Sequence, residues 1–363
     1  MKPIRVLLAY ASGDANATLS YQGGWPRQFL AHGSFLCTPI NLLDRRWRSR
    51  FGRHMTVRAW RGDAVVLLHS VFSNARLLDG RLFDAIGRLP QPKAFFVGNE
   101  YKLMPEKMRF CEELAVALFV TQTMHPSVHA AYRQRLGCAV MGLPNTGFDP
   151  DVFRPVTPIH ERPIDLGYRA FDSPWYLGHQ ERRDLAEYFA LNAERLGVIA
   201  DVSLDCARRF AEPEWAAFLN RCKGQLGTEA GGDYFELTDV SRNAVNEYTD
   251  RHPEASFDEV RSRFFNGRPA GLPMRILSGR NVEAAGTGTV QLLFEGHYDG
   301  YFQPDVHYIP LKKDFSNVDD ALRKFRDRDV AAAISDNARR LVTEEFTYER
   351  LIGRFADALA AVL

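Results

Sequence analysis

The sequence predicts an α/β protein made of two Rossmann-like domains, each a doubly wound parallel sheet, that face each other across a cleft. Three observations predict this class. The chain has 363 residues, which is enough for two domains of ordinary size. Short, wholly apolar runs alternate with amphipathic stretches, as they do in parallel sheets covered by helices on both faces. The alternation breaks in a turn-rich segment and then starts again.

The first half of the chain contains five short apolar runs that we interpret as buried strands. They cover residues 4–10, 64–70, 94–99, 115–121 and 138–143, and each ends in polar or turn-forming residues. Amphipathic stretches at 77–88 and 126–136 are predicted helices between these strands. This pattern predicts a first domain over residues 1–155.

A turn-rich segment at 145–155 is predicted to connect the domains, and Pro158 and Pro163 follow it. Predicted strands then resume at residues 164–168, 225–229, 289–294 and 307–311. We therefore expect a second domain over residues 156–346. Three amphipathic helices are predicted at 318–328, 329–345 and 348–363. The closing segment, 347–363, is a candidate to pack back on the first domain.

Composition excludes several classes of protein. The formal net charge is +1, which argues against nucleic acid as the main partner, because binding a phosphate backbone needs a strong basic field. The five cysteines are scattered without a CxxC pair, which favours free thiols in a reducing cytoplasm. No apolar run has the length of a membrane span, so we expect at most peripheral membrane contact. The basic and aromatic segment 44–54 is either a membrane-facing patch or a solvated surface.

Four segments carry a resemblance to a known family. Residues 283–288, 307–317 and 345–350 resemble retaining glycosyltransferases of the family 4 type, and more closely the CgeB-like branch of the group 1 glycosyltransferases. The segment 145–155 is similar to the connector of that family. The resemblance covers about the last two-thirds of the chain, and it implies the two-domain GT-B fold, with the nucleotide-sugar donor on the second domain.

The resemblance also implies a donor site around the segment 283–288. Glu283 matches the acidic residue that holds the nucleotide ribose in the family, and Gly286, Thr287 and Gly288 complete the motif. The family has a second glutamate eight positions earlier, where this chain has Arg275.

A substitute for that missing glutamate is expected at the end of another predicted strand. Glu229 stands there, and Gly231 and Gly232 follow it closely. These glycines either let backbone amides approach an anion or simply form a turn.

A departing nucleoside diphosphate needs positive charge nearby. Arg169, at the end of a predicted strand, and Arg280 are the candidates to stabilise it, and the resemblance implies retaining transfer without a metal or a bound cofactor. The nucleotide sugar itself would be the co-substrate. The basic pairs Arg182-Arg183 and Lys312-Lys313 are weaker candidates, because exposed pairs of this kind are typical of a solvated surface.

The first domain is expected to bind the acceptor, which would be a carbohydrate, a lipid-linked sugar or a protein. Asn99 and Glu100 follow a predicted strand, where they would bind acceptor hydroxyls, assist proton transfer or serve the fold alone. Gly23 and Gly24 follow the first strand, where the chain could pass close to the donor phosphates or to the acceptor, or form a plain turn.

Other functions remain compatible with the same fold. A nucleotide-sugar-binding or assembly protein without turnover would account for the arginine at position 275. An isomerase or a phosphorylase on a double Rossmann scaffold is a further alternative. A phosphorylase would need orthophosphate for turnover, and an isomerase would act on the nucleotide sugar alone.

Overall fold

The computed structural model describes residues 2–13, 18–44, 47–267 and 271–363. The chain folds into two compact units. The first unit comprises Met1–Asn145, Phe235–Val240 and Tyr348–Leu363, and the second comprises Thr146–Tyr234 and Ser241–Thr347. Each unit is built on a parallel sheet flanked by helices, which confirms the predicted α/β class with two Rossmann-like domains.

The described strands of the first sheet are all parallel and run in the order β2-β1-β3-β4-β5-β6. The strands are β1 (Ile4–Tyr10), β2 (Phe35–Asn41), β3 (Ala64–Leu67), β4 (Lys93–Phe96), β5 (Val116–Thr121) and β6 (Ala139–Gly142). The helices between them are α1 (Ser20–Ala31), α2 (Trp47–Ala59), α3 (Gly80–Gly87), α4 (Met104–Glu113) and α5 (Pro126–Leu136). The strand order reverses between β1 and β3, and such a switch point is where open α/β sheets bind ligands.

A late segment of the chain completes the core of the first unit. Helix α13 (Tyr348–Ala360) buries Leu351 and Phe355, which lie on one face of the helix. Phe355 contacts Phe96 with their ring centroids 4.8 Å apart. Gly24 in α1 is required for this packing, because a Cβ there would overlap the Tyr348 hydroxyl.

The main sheet of the second unit is also parallel, in the order β13-β12-β9-β7-β8. Its strands are β7 (Ile164–Arg169), β8 (Ala200–Ser203), β9 (Cys222–Gly227), β12 (Val290–Phe294) and β13 (Ile309–Leu311), and a separate antiparallel pair is formed by β10 (Ala230–Gly232) and β11 (Met274–Ile276). The helices are α6 (Glu181–Leu196), α7 (Glu212–Leu219), α8 (Val240–Arg251), α9 (Phe257–Phe264), α10 (Gly279–Gly286), α11 (Val318–Arg326) and α12 (Arg328–Glu345). The switch point of this sheet lies between β7 and β9.

The predicted connector is part of the packing of the second unit. Phe148 and Phe153 are buried in one of its two apolar clusters, together with Val282 of α10. Gly286 at the end of α10 makes room for this segment, because a Cβ there would overlap the Phe148 ring. The turn-rich sequence therefore holds α10 in place as well as linking two strands of different sheets.

Candidate active site in the second unit

Glu283 lies inside the second unit. Its side chain is 1 % exposed, on α10. The indole Nε1–H of Trp215 in α7 donates to Glu283 Oε2 over 2.7 Å, and Arg280 Nη1 lies 3.4 Å from the same oxygen. The carboxylate is therefore held by an aromatic donor and a cation, and not by bulk water.

Arg280 links this carboxylate to the surface. Its side chain is 24 % exposed, and its guanidinium carbon lies 4.2 Å from the centre of a Trp215 ring. Helix α10 starts at this point, with the Ser278 hydroxyl accepting from the Arg280 N–H over 3.3 Å. Burial lowers the pKa of Arg280, and Glu283 opposes that shift.

Two further arginines act on Arg280 electrostatically. The charges of Arg209 and Arg182 both lower the pKa of Arg280, so each of these two cations lies close enough to Arg280 to repel it. Arg182 is the second residue of α6, and Arg209 precedes α7. Such a concentration of like charge favours an anionic ligand.

Sequence reasoning missed Arg209 and assigned Arg182 to solvated surface. A signal for both was present in the sequence, because each arginine stands near the start of a helix that follows a strand. A cation there opposes the helix dipole, so an anion that neutralises it is a natural explanation.

Glu229 has backbone partners in the described structure. It lies just beyond β9, and its Oε1 accepts the N–H groups of His297 and Tyr298 over 3.1 and 2.6 Å. Burial raises the pKa of Glu229, while these amide donors and the charge of Arg275 oppose the rise. Glu229 thereby fixes the loop that follows β12, and its role as a substitute donor ligand stays a prediction.

Arg275, which stands where the family has a glutamate, forms a buried ion pair with Glu181. Its Nη1 and Nη2 each donate to one oxygen of Glu181 over 2.9 Å. Asp233 accepts from Arg275 Nε over 2.8 Å, and Lys313 Nζ lies 2.7 Å from Glu181 Oε1. Thr228 also donates its hydroxyl to Glu181. Sequence reasoning did not predict this cluster.

Arg169 ends β7 as predicted and is almost fully buried. Its guanidinium donates to the backbone oxygen of Asp201 over 2.7 Å and to the carboxylate over 2.6 Å. The Phe218 ring covers it, with the ring centre 4.5 Å from the guanidinium carbon. In the described structure these contacts fasten β7 to β8, and its proposed role toward a phosphate stays a prediction.

The remaining predicted donor residues have packing roles. The Thr287 hydroxyl is fully buried and donates to the Ala284 carbonyl over 2.9 Å, and Gly288 follows with a φ of 65°. Gly231 and Gly232 form β10, and the Gly231 carbonyl accepts a hydrogen bond from His179 Nε2 over 3.1 Å. Their contact with a donor is likewise untested.

Replacing Gly231 with alanine is expected to lower the free energy of unfolding by about 2–3 kcal/mol. Gly231 has a φ of 84°, and a Cβ there would overlap the Met274 carbonyl oxygen of β11. Gly267 has a similar φ of 72° but no neighbour within 4 Å of a Cβ, so Gly267→Ala should cost only about 1 kcal/mol. Urea unfolding of both variants checks this, and equal losses would contradict the role of β11.

In the first unit, Glu100 is buried behind the carboxyl edge of the sheet. It accepts hydrogen bonds of 2.6 Å from the Thr121 hydroxyl, the Gln122 N–H and the Tyr132 hydroxyl. Burial raises its pKa, and these three donors oppose the rise. Asn99 is partly exposed with a φ of 48°, and its amide donates to Ser73 and Asn74. The structure thus places Asn99, more than Glu100, where a ligand could reach it.

Two other sequence features have structural explanations. Gly23 lies within α1 rather than in a turn, and only the Ser12 hydroxyl lies within 4 Å of a Cβ at that position. The chain contains two Asp-x-Asp triplets, 149–151 and 327–329. Asp149 accepts from the Asp151 N–H, and Asp327 caps α12 by accepting from the N–H groups of Asp329 and Val330.

Of the basic and aromatic segment 44–54, Arg45 and Arg46 lie outside the described residues. Across the described ranges, we find no helix with the length and apolar character needed to cross a bilayer.

Solved structures with the GT-B fold match nearly the whole chain. The DNA-modifying enzyme β-glucosyltransferase has a TM-score of 0.56 at 8 % identity, over 98 % of this chain and 100 % of its own. Sucrose-phosphate synthase from Thermosynechococcus elongatus has a TM-score of 0.55 at 10 % identity, over 99 % and 100 %. HepE from Anabaena, solved in complex with UDP-glucose, has a TM-score of 0.53 at 12 % identity, over 99 % and 100 %.

These likenesses confirm the fold, and at such low identity they establish nothing further. No family model and no curated protein sequence matches the chain. The fold and the site together define an α/β protein of the GT-B fold with a cationic, aromatic-lined site in its second unit.

Proposed function

We propose that the chain is a glycosyltransferase that moves a sugar from a nucleoside diphosphate donor to a hydroxyl-bearing acceptor. The observation that carries the proposal is the arrangement of Glu283, Arg280 and Trp215, with Arg182 and Arg209 nearby. A buried carboxylate beside several cations suits a ligand that has both hydroxyls and phosphates. The GT-B neighbours, which include one solved with UDP-glucose, support this scaffold for such a ligand.

In this proposal each group has a distinct role. Glu283 accepts hydrogen bonds from the ribose hydroxyls, and Arg280 with its neighbouring arginines neutralises the diphosphate as it departs. A charge-assisted hydrogen bond contributes roughly 1.5–3 kcal/mol. Two or three such bonds supply the stabilisation that a cation would give, which supports metal-independent transfer with no bound cofactor.

The finer features of the reaction rest on the resemblance to CgeB-like proteins. We infer retention at the anomeric carbon, with the leaving phosphate taking the proton of the acceptor hydroxyl. Asn99 is the residue of the first unit proposed to meet the acceptor, which is a carbohydrate, a lipid-linked sugar or a protein. A cytoplasmic location fits the free thiols of this chain.

A thermal-shift panel with UDP-, GDP-, ADP- and dTDP-sugars tests donor binding directly. A ligand at 100 times its Kd stabilises the folded state by about 2.7 kcal/mol, which is a readily measured rise in Tm. We expect one nucleotide series to give this rise. If all four leave the Tm unchanged at millimolar concentration, the chain does not bind a nucleotide sugar.

Glu283→Gln is expected to weaken binding of the donor by at least about tenfold, since it removes the charge that strengthens the hydrogen bonds to the ribose. Glutamine can still accept from the Trp215 indole, so the fold is preserved better than with alanine. Glu344→Gln, an exposed site on α12, is the matched control. Isothermal titration of both variants is the measurement, and parental affinity in Glu283→Gln would remove Glu283 from the site.

The engagement of Arg275 with Glu181 keeps one alternative function open. A protein that binds a nucleotide sugar without turnover would need the site around Glu283 and Arg280, but it would not need the glutamate that the family has at the position of Arg275. Hydrolysis of each donor by the purified chain separates the two functions, because hydrolysis of any one of them excludes a purely binding role.

A further inference from the structure

His69 is a buried polar side chain that makes no hydrogen bond with the described residues. It follows β3 in a short 3-10 turn, and 4 % of the residue is exposed. Neither ring nitrogen is bonded to any residue in the described part of the chain. An unsatisfied group of this kind calls for an explanation.

Other buried histidines of the described structure are bonded. His32, in the same unit, contacts the Glu349 carbonyl through Nε2 over 3.1 Å and accepts from the Ser34 N–H through Nδ1 over 3.2 Å. His179, in the second unit, contacts the Gly231 carbonyl through Nε2 over 3.1 Å, although its buried Nδ1 has no partner. Each of these two histidines makes at least one hydrogen bond, whereas His69 makes none with the described residues.

The surroundings of His69 are aromatic and uncharged. Its ring centroid lies 5.2 Å from that of Phe96, 5.8 Å from that of Trp25 and 5.9 Å from that of Tyr21. Burial lowers the pKa of His69 to about 3, and no charged group contributes to the shift. The imidazole is therefore neutral near pH 7, with one nitrogen donating and the other accepting.

His69 lies at the carboxyl edge of the first sheet, where open α/β sheets bind ligands. It comes two residues after the end of β3, and β3 lies beside β1 at the point where the strand order reverses. The two strand ends are fastened together by the Ser70 hydroxyl, which accepts from the Ala11 N–H over 2.8 Å. Apolar walls with a few convergent polar groups are typical of small-molecule sites.

We propose that His69 binds a hydroxyl of a neutral, sugar-like acceptor at the carboxyl edge of the first sheet, with Trp25 and Tyr21 beside it. This assignment rests on the proposed transfer function. A neutral imidazole can accept the hydroxyl proton in a hydrogen bond and donate to a neighbouring oxygen. The partly exposed Tyr21 offers an aromatic ring to the apolar side of a pyranose, while Trp25, which is 1 % exposed, packs against His69 inside the core. A phosphorylated or carboxylated ligand would find no countercharge at this histidine.

Nuclear magnetic resonance of the histidine rings tests the assignment without requiring turnover. The probes are neutral p-nitrophenyl glucoside, galactoside, mannoside and N-acetylglucosaminide, with p-nitrophenyl glucuronide as the anionic arm. We expect at least one neutral glycoside to shift the His69 ring nitrogen signals in a saturable manner. The bonded His32 is the internal control, and its signals should stay in place.

Substitutions separate a contact with the acceptor from a structural role. His69→Phe keeps the aromatic packing and removes both nitrogens, whereas His69→Gln keeps a donor and an acceptor. For a glycoside that the parent glycosylates, His69→Phe should raise the KM for the glycoside by about tenfold, and His69→Gln should restore part of the loss. Affinity for the donor should be unchanged in both variants, since the donor site lies on other residues.

The outcomes are distinct. The proposal is overturned by a saturable response to the glucuronide alone, by no response to any glycoside, or by a parental KM in His69→Phe. If a glycoside moves the His69 signals while no nucleotide sugar binds, the hydroxyl site stands and the transfer function fails.

Discussion

Replacing Arg162 with methionine is expected to lower the free energy of unfolding by about 3–5 kcal/mol, since each buried carbonyl that loses its donor costs about 1–3 kcal/mol. Arg162 is 2 % exposed, and burial lowers its pKa to about 10, so it is charged near neutral pH. Its guanidinium donates to the carbonyls of Thr157, Leu219, Cys222 and Thr287 and to the hydroxyl of Thr289.

Arg162 therefore joins several backbone segments through its hydrogen bonds. The carbonyls to which it donates include one at the end of α7, one at the start of β9 and one just after α10, and the Leu219 carbonyl also accepts from the Thr289 hydroxyl over 3.1 Å. Methionine fills a similar volume but donates nothing. Arg162→Lys, which provides a single ammonium group, should recover part of the loss.

Urea unfolding of the variants measures the effect. Arg221→Met, at an exposed position in the same unit, is the matched control and should change stability by less than about 0.5 kcal/mol. An equally small loss for Arg162→Met would mean that water replaces the guanidinium at these carbonyls.

Much of the fold could be predicted from the sequence because its central strands are continuous apolar runs. All four residues of β3 and all five of β12 are buried. Their apolar composition therefore identifies them as interior strands of a sheet covered on both faces. The edge strands β2 and β8 were not predicted. In β2 exposed and buried residues are mixed and Pro39 interrupts the run, while all four residues of β8 are only partly buried. These two edge strands lack the continuous apolar composition that identifies a buried strand, whereas the edge strands β6 and β13 were predicted.

The candidate site could be predicted only in part. Glu283 and Arg280 lie three residues apart on one helix, so a local motif finds them together. Glu181 and Arg275 are 94 residues apart in sequence, and their pairing depends on how α6 and β11 meet. Sequence reasoning therefore detected that Arg275 replaces the family's second glutamate, but it did not predict that Arg275 pairs with Glu181.

The function of the glycines was harder still to predict. Gly24 was predicted either to approach a ligand or to form a turn, and the resemblance implied that Gly286 belongs to the donor motif. Both glycines do permit a close approach. The approaching groups in the structure are Tyr348 and Phe148, which no local pattern identifies. A glycine in the sequence can indicate a close contact, but it does not identify the group that makes this contact.

Glu181→Gln is expected to lower the free energy of unfolding at pH 7 by roughly 3 kcal/mol, because about 1.4 kcal/mol corresponds to each unit of pKa shift. Burial by itself would raise the pKa of Glu181, but the charges of Arg275, His179 and Lys313 and the hydrogen bond from Lys313 outweigh it. The pKa falls from 4.5 to about 2. The amide removes the charge and leaves Arg275 with Asp233 as its remaining carboxylate partner.

The pH dependence follows from the sign of this shift. A carboxyl group whose pKa is lower in the folded state stabilises that state above its unfolded pKa, near 4.5, and loses this contribution as the pH falls toward 2. The difference in stability between the parent and Glu181→Gln should therefore be constant from pH 7 to about 5. It should then shrink steadily and approach the cost of the amide alone near pH 2.

Unfolding curves of the parent, of Glu181→Gln and of the exposed control Glu194→Gln over this pH range measure the effect. Combining Glu181→Gln with Arg275→Met should cost less than the sum of the single variants, because removing both partners leaves no uncompensated buried charge. Strict additivity, or a loss that persists undiminished at pH 2, would show that packing rather than charge joins α6 to β11. In that case the shape of the Arg275 side chain, and not its charge, would account for its contribution to stability.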